Sequence, residues 1–208
     1  MQALALVSGG IDSTVALWWA LDQGYEVHAL TMHYFKRPPP ERQATETITE
    51  LAGVELTAIE MPWLRELEDP VHPLLDNPAL ADAPEGYVPA RNPILYALAA
   101  HVAEIVGAET IVGGHNGVDP ERFPDASASF FERFGDLMAD SLHSDVDLTI
   151  EQPLLGLDKT EVVERGLERG APVEASWSCY ELGPDPCGEC PACEERARAF
   201  QAAGVGGT

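Results

Sequence analysis

The apolar residues fall into short continuous runs separated by amphipathic stretches. Residues 3–7 form the first run, ending in Ser8-Gly9-Gly10, the pattern of a buried parallel strand entering a turn. Residues 14–21 then read as an apolar helix stopped by Gly24. The pattern predicts strands over 25–34 and 54–61 with a helix over 41–52 between them, and Pro38-Pro39-Pro40 breaks the pattern before that helix. Residues 62–90 are Pro-rich and too long for a plain connection, so a functional or partly mobile loop is expected. A helix is predicted over 92–106, with Asn92 as N-cap and Pro93 at the first helical position. Strands follow over 109–113 and 147–155, then a helix over 158–169 whose Asp158 and Glu161 form a capping-box pattern. Strands alternating with helices predict a Rossmann-like, doubly wound α/β fold with a mostly parallel sheet. Trp18-Trp19 is expected in the core of the first helix. After Gly170 the chain turns to Pro, Gly and Cys, so the expected division is an α/β domain over 1–172 and a small module over 173–208.

Charge narrows the function. The 208 residues carry 12 Lys plus Arg against 35 Asp plus Glu, a net charge of −23. A field of that sign repels phosphate backbones and anionic lipid, which excludes a non-specific nucleic-acid binder and disfavours docking to tRNA. Only Lys36 and Lys159 are lysines, and an acid-rich, Lys-poor surface suits a halophilic source, where salt screens the self-repulsion. No apolar run approaches the roughly 20 residues of a membrane span, and residues 1–7 carry no signal-peptide pattern. A cytoplasmic protein is expected, with its four cysteines in a reducing compartment where metal binding or catalysis outranks disulfides.

Two constellations carry chemistry. In the first, Ser8-Gly9-Gly10-Ile11-Asp12-Ser13-Thr14 links a strand to a helix. Its glycines let the backbone approach an anion, and the helix N-terminus aims unpaired N–H groups at it. Ser8, Ser13 and Thr14 add hydroxyls, and Asp12 could hold Mg²⁺ on phosphate oxygens. Neither a Walker A loop nor a dinucleotide fingerprint is present. In the second, Cys179, Cys187, Cys190 and Cys193 are separated by seven, two and two residues. Four thiolates at that spacing can close a tetrahedral, structural Zn²⁺ site, and an iron–sulfur cluster could use the same ligands. A module with so little apolar material is expected to need its metal to fold. A third, weaker feature is Val88-Pro89-Ala90-Arg91-Asn92, which puts Arg91 at a helix start, suited to phosphate. His33 and His115 lie at strand ends and are left outside the catalytic set.

The first heptad resembles the signature of the PP-loop ATP pyrophosphatases, which cleave ATP between the α and β phosphates. With the cysteine module, Val88-Pro89-Ala90-Arg91-Asn92, Asn116 with Val118-Asp119, Pro124-Asp125, Leu157-Asp158-Lys159-Thr160-Glu161 and Trp177-Ser178-Cys179-Tyr180, the chain resembles the 7-cyano-7-deazaguanine synthase family from Ala3 to Phe200. Two departures stand out. Tyr34-Phe35-Lys36-Arg37 replaces the family's usual Tyr-Gly-Gln-Arg, and residues 120–127 replace a segment that usually carries Tyr and Arg.

The resemblance implies a C–N-bond-forming ligase that turns 7-carboxy-7-deazaguanine and ammonia into the 7-cyano base with ATP, for queuosine and archaeosine synthesis. It implies Asp12, Ser13, Arg91 and Lys159 as catalytic residues. ATP would be bound by Ser8, Gly9, Gly10, Ile11, Asp12, Ser13, Thr14 and Arg37. Asn116, Asp119 and Asp125 are expected in the base pocket or on the metal, with Arg122 and Phe123 standing in for the absent Arg and Tyr. The expected partners are small molecules only, and the expected assembly is a homodimer. Two other readings stay open: a relative that passes the activated carboxylate to another amine, such as a protein N-terminus, and a non-catalytic zinc- and nucleotide-binding protein.

Overall fold

The computed structural model describes residues 1–34, 37–64, 88–144 and 147–206, with only the backbone at Arg122. The Pro-rich stretch expected over 62–90 falls mostly on 65–87 and, with Lys36, lies outside the described residues.

Among the described residues, five parallel strands form one sheet in the order β3-β2-β1-β4-β5. They are β1 (Gln2–Leu6), β2 (Glu26–His33), β3 (Glu55–Glu60), β4 (Thr110–Val112) and β5 (Thr149–Glu151). The main helices are α1 (Ile11–Asp22), α2 (Pro39–Ala52), α3 (Arg91–Val106), the single turn α4 (Asp119–Arg122), α5 (Ala128–Ala139), α6 (Lys159–Glu168) and α7 (Pro191–Ala202). A parallel sheet is covered on both faces, so its central strand is apolar throughout and the pleat divides it. Ala3 and Ala5 of β1 pack into one core with α1, α2, α6 and α7; Leu4 packs into the other with α3, α5 and Ile111. The chain winds outward in both directions from β1 and β4, which makes the space beyond their carboxyl ends the switch point where ligands bind in such sheets.

Several expectations shift. The first helix begins at Ile11, three residues earlier than predicted, because the phosphate-loop residues are its first turn. The last strand covers only Thr149–Glu151, and Gln152 leaves the sheet. Asn92 is not the N-cap of α3. That position is Ala90, whose φ of 50° is left-handed, and Asn92 lies inside the first turn. Helix α5 had no counterpart in the predicted elements, although Phe130, Phe131, Phe134 and Met138 repeat with helical period and the Ser127 side chain caps it. Trp18 and Trp19 pack against the core but remain partly exposed. The capping box of Asp158 and Glu161 forms as predicted.

The cysteine segment does not hang free. Ala199 of α7 is part of the α1 core, and Phe200 and Val205 pack against it. Arg196 donates to Ser176 Oγ at 2.6 Å and stacks its guanidinium 4.2 Å from the Phe200 ring centre.

Candidate functional site: the switch-point cavity

Beyond β1 and β4 lies a cavity of about 290 Å³ lined by Ser8, Gly10, Asp12 and Ser13 on one side. Glu41, Arg37, Arg91, His115 and Asp119 are among its other charged and polar groups. Gly9 makes the turn into α1 with φ of 87°, and any side chain there would strike the carbonyl of Glu41 and the Thr45 hydroxyl in α2. The β4 side comes equally close, since a Cβ on Gly114 would stand 2.8 Å from the Ser13 nitrogen. Glycine is therefore required on both walls.

The loop is organised from within. Ser13 Oγ accepts the Ser8 N–H at 3.1 Å and donates to the Gly10 carbonyl at 3.1 Å. Gly10 caps α1 without a side-chain acceptor, and the first intrahelical bond comes from Thr14 N–H to Gly10 O. The N–H groups of the first turn before Thr14 are thus left to an incoming anion. The macrodipole adds positive potential at the same end.

Several predicted ligands have side chains that are turned away from the cavity or already partnered. Ile11 points into the hydrophobic core, and Thr14 is fully buried with its hydroxyl on the Gly10 carbonyl at 2.8 Å, so neither side chain reaches the cavity. Arg37 borders the cavity, yet its fork is consumed. It donates to Thr31 Oγ1 and Met32 O at 2.8 Å each, to Glu41 Oε2 at 3.1 Å, to Thr45 Oγ1 and to the Ser8 carbonyl. It is the clamp that ties the phosphate loop to β2 and α2, a task for a planar guanidinium.

Asp12 faces the cavity with its charge compensated from behind. Lys159 Nζ, at the start of α6, donates to both carboxylate oxygens at 2.9 and 2.6 Å and lies 3.7 Å from Glu195 of α7. Burial pulls the Lys159 pKa down, but Asp12, Glu195 and Asp119 outweigh it and hold the ammonium above its usual value. Glu41 is pushed up by burial, against the pull of Arg37.

Of the residues expected in the base pocket, Asp119 reaches the cavity. Its carboxylate accepts the Asn116 N–H at 3.0 Å and lies 3.3 Å from His115 Nδ1. Burial favours its protonated form, but these contacts prevail and keep the pKa below the usual carboxylate value. Asn116 is buried with its side-chain oxygen on the Val118 N–H, turned into the loop. Asp125 anchors the start of α3 by accepting Asn92 N–H at 3.1 Å and, through its carbonyl, Asn92 Nδ2 at 2.8 Å. Phe123 sits under the Arg91 guanidinium, 5.5 Å from ring centre, and the Arg122 side chain lies outside the described residues. Glu41, Tyr96 and His115 were not expected here. His115 offered a signal in its position at the end of β4; Glu41 and Tyr96 sit on helices and offered none.

The four cysteines converge. Their sulfurs all lie within 4.8 Å of one another, none is in a disulfide, and Cys187 and Cys193 are 3.9 Å apart. A tetrahedron of ~2.3 Å zinc–sulfur bonds sets sulfurs about 3.8 Å apart, so the donor set fits. Backbone N–H groups of Glu181 and Cys187 point at Cys179 Sγ, and that of Cys190 at Cys187 Sγ, as thiolates require. The module reaches the backbone of the phosphate loop through the bond from Trp177 N–H to Gly9 O at 2.8 Å.

A parallel 3-2-1-4-5 sheet with this loop at its switch point and a four-cysteine module behind it defines a PP-loop-type α/β protein. A solved structure of a 4-thiouridine synthetase in complex with RNA and bound ATP shares the fold, with TM-score 0.52 and 23% identity over 98% of this chain and 50% of that one. The model of the family "Queuosine biosynthesis protein QueC" matches residues 2–204, and the chain belongs to that family. Among its relatives are the 7-cyano-7-deazaguanine synthases of Thermoplasma acidophilum and of Chlorobaculum parvum, each 34% identical. The alignments cover 98% and 99% of this chain and 89% and 94% of those proteins. Among the described residues, no helix is long and apolar enough to cross a membrane.

Proposed function

We propose that the chain converts 7-carboxy-7-deazaguanine and ammonia to 7-cyano-7-deazaguanine, cleaving ATP to AMP and pyrophosphate. One observation carries the reading: the phosphate loop opens its free helix N-terminus onto a cavity large enough for a planar base, in a chain of this family.

A carboxylate resists attack because oxide is a poor leaving group. Adenylation replaces oxide with AMP, ammonia then gives the amide, and adenylation of the amide oxygen allows AMP to leave again as the nitrile forms. The chain supplies preorganised positive potential where charge gathers on pyrophosphate, and holds the reactants together. In this reading Ser8, Gly10, Ser13 and the first turn of α1 bind the phosphates, and Arg91 reaches them from α3. Gly9, Ile11, Thr14 and Arg37 hold the loop in shape. Asp12 would hold Mg²⁺, which neutralises phosphate charge when bound, and Lys159 keeps that carboxylate placed. Asp119 borders the base and Phe123 backs it through Arg91, with Arg122 beside them in sequence, while Asn116 and Asp125 shape that wall. Zn²⁺ on the four cysteines would be structural, stabilising a unit over 173–208 behind a nucleotide-binding unit over 1–172. A cytoplasmic homodimer acting on small molecules alone, in a salt-rich source, belongs to the same proposal.

Mass analysis after incubation with the carboxy base, ammonia and ATP tests the reaction. The cyano product is expected. An adduct of the activated base on another amine would favour the transfer reading, and unchanged base and ATP would favour a binding protein.

A further inference from the structure

Most ionisable side chains on the cavity wall already have a partner that occupies them. Asp12 is held by Lys159, Glu41 by Arg37, and the Tyr96 hydroxyl by Gln152 in a fully buried position. His115 differs. Its Nδ1 faces Asp119 Oδ2 at 3.3 Å, and its backbone N–H donates to Gln152 Oε1 at 3.2 Å. The ring clusters with Tyr96 and Phe131, whose centroids are 6.1 and 5.1 Å away, and His115 lines the cavity. An anionic Asp119 fixes the proton on Nδ1 and leaves the Nε2 lone pair available, the arrangement that makes imidazole a base. The pair also stands next to the chemistry, because the adjoining Gly114 packs against the Asp12–Ser13 backbone of the phosphate loop.

The reaction proposed above, on which this inference rests, has a step that needs such a base. In the adenylated amide the carbon is doubly bonded to an N–H nitrogen and singly bonded to the oxygen of AMP. To form the nitrile, the C–O bond breaks with its electron pair leaving on AMP. The N–H bond breaks at the same time, its electrons forming the third C–N bond. The proton must go to an acceptor beside the nitrogen. We propose that His115 takes this proton on Nε2, making it a catalytic residue, and that Asp119 is its positioning residue. No oxidant or further reactant is required.

The test is a single-turnover comparison of the wild type, His115→Ala and Asp119→Asn with carboxy base, ammonia and ATP, read by mass and by pyrophosphate release. In His115→Ala the first pyrophosphate release should persist, while nitrile formation falls about 10²- to 10⁴-fold and the amide and its adenylate accumulate. Added imidazole should restore part of the nitrile, which a purely packing role would not allow. Asp119→Asn should show the same partition to a smaller degree. Nitrile formation by His115→Ala at the wild-type rate would overturn the assignment, as would equal loss of both steps without imidazole rescue. A wild type that makes no nitrile would instead overturn the proposed reaction, and the role of His115 with it.

Discussion

The phosphate loop and the cysteine module meet at the hydrogen bond from Trp177 N–H to Gly9 O, yet they are held together by different physics. The loop is built on burial: Ile11, Thr14 and Val15 are sealed in the core, Arg37 clamps the strand end, and the glycines sit where other walls leave no room. The turns between Cys179 and Cys190 have almost none of this. Residues 184–189 are all exposed, as are Tyr180 and Leu182, and their order comes from four sulfurs converging on one point. A segment that cannot bury apolar surface must find its folding free energy elsewhere, and a metal on the four cysteines would supply it. The fold of the loop should therefore survive loss of the metal, whereas the turns between the cysteines should stand or fall with it.

Metal removal should produce the largest effect. Apparent binding free energies of structural zinc in small domains run to about 10–16 kcal/mol. One metal ion per chain is expected by elemental analysis, and Cys190→Ser should lose it. Amide exchange should then rise over 179–193, and pyrophosphate release should fall as Gly9 loses its Trp177 contact. Iron with visible absorbance would overturn zinc, and full activity without metal would show the two regions to be independent.

Next in size, Asp12→Asn should attack the chemistry and spare the fold. It removes the charge that Lys159 pairs with at the cavity edge, and loss of one preorganised charged group is expected to slow ATP cleavage by about 10²- to 10³-fold. The cysteine site should keep its metal. A variant that unfolds the module would mean that the Lys159 link to α7, not the metal, carries its order.

A smaller effect is expected in acid. The folded protein gives up the Asp119 proton more readily than the unfolded chain, because its pKa is lowered in the fold. Its ionisation contributes stability above the ordinary carboxylate value of about 4, and that contribution fades as the pH falls through the lower folded value. Denaturant midpoints between pH 3 and 6 should fall less steeply for Asp119→Asn than for wild type; equal slopes would contradict the contact with His115. Smallest is the salt response. With a net charge of −23, added salt should raise the melting temperature by screening repulsion among carboxylates, and a flat curve would remove the halophile expectation.

Legibility in the sequence followed the same divide. The loop and the cysteines were readable because each is a contiguous motif whose residue types state their chemistry. The alternation of strands and helices likewise revealed the sheet, since parallel strands are apolar runs that stop at turn residues. What the sequence hid was direction. Thr14 looks like a phosphate ligand as Ser13 does, but the helix turns Thr14 into the core and Ser13 to the cavity. Arg37 reads as a charge for ATP, and only the fold reveals the acceptors waiting for it in Thr31, Met32, Glu41, Thr45 and Ser8. Glu41, from α2, and Tyr96, from α3, reach the cavity across long sequence separations that no local pattern reports. Helix α5 was legible from its Phe spacing, but the irregular segment before it draws attention to loops.

In the proposed reaction this loop directs cleavage of ATP at the α-phosphate in support of nitrile formation. Phosphorus NMR of a reaction containing the carboxy base, ammonia and excess ATP reads it directly. AMP and pyrophosphate are expected in equal amounts, two of each for every cyano base formed. ADP with inorganic phosphate, or cyano base formed without AMP, would contradict it.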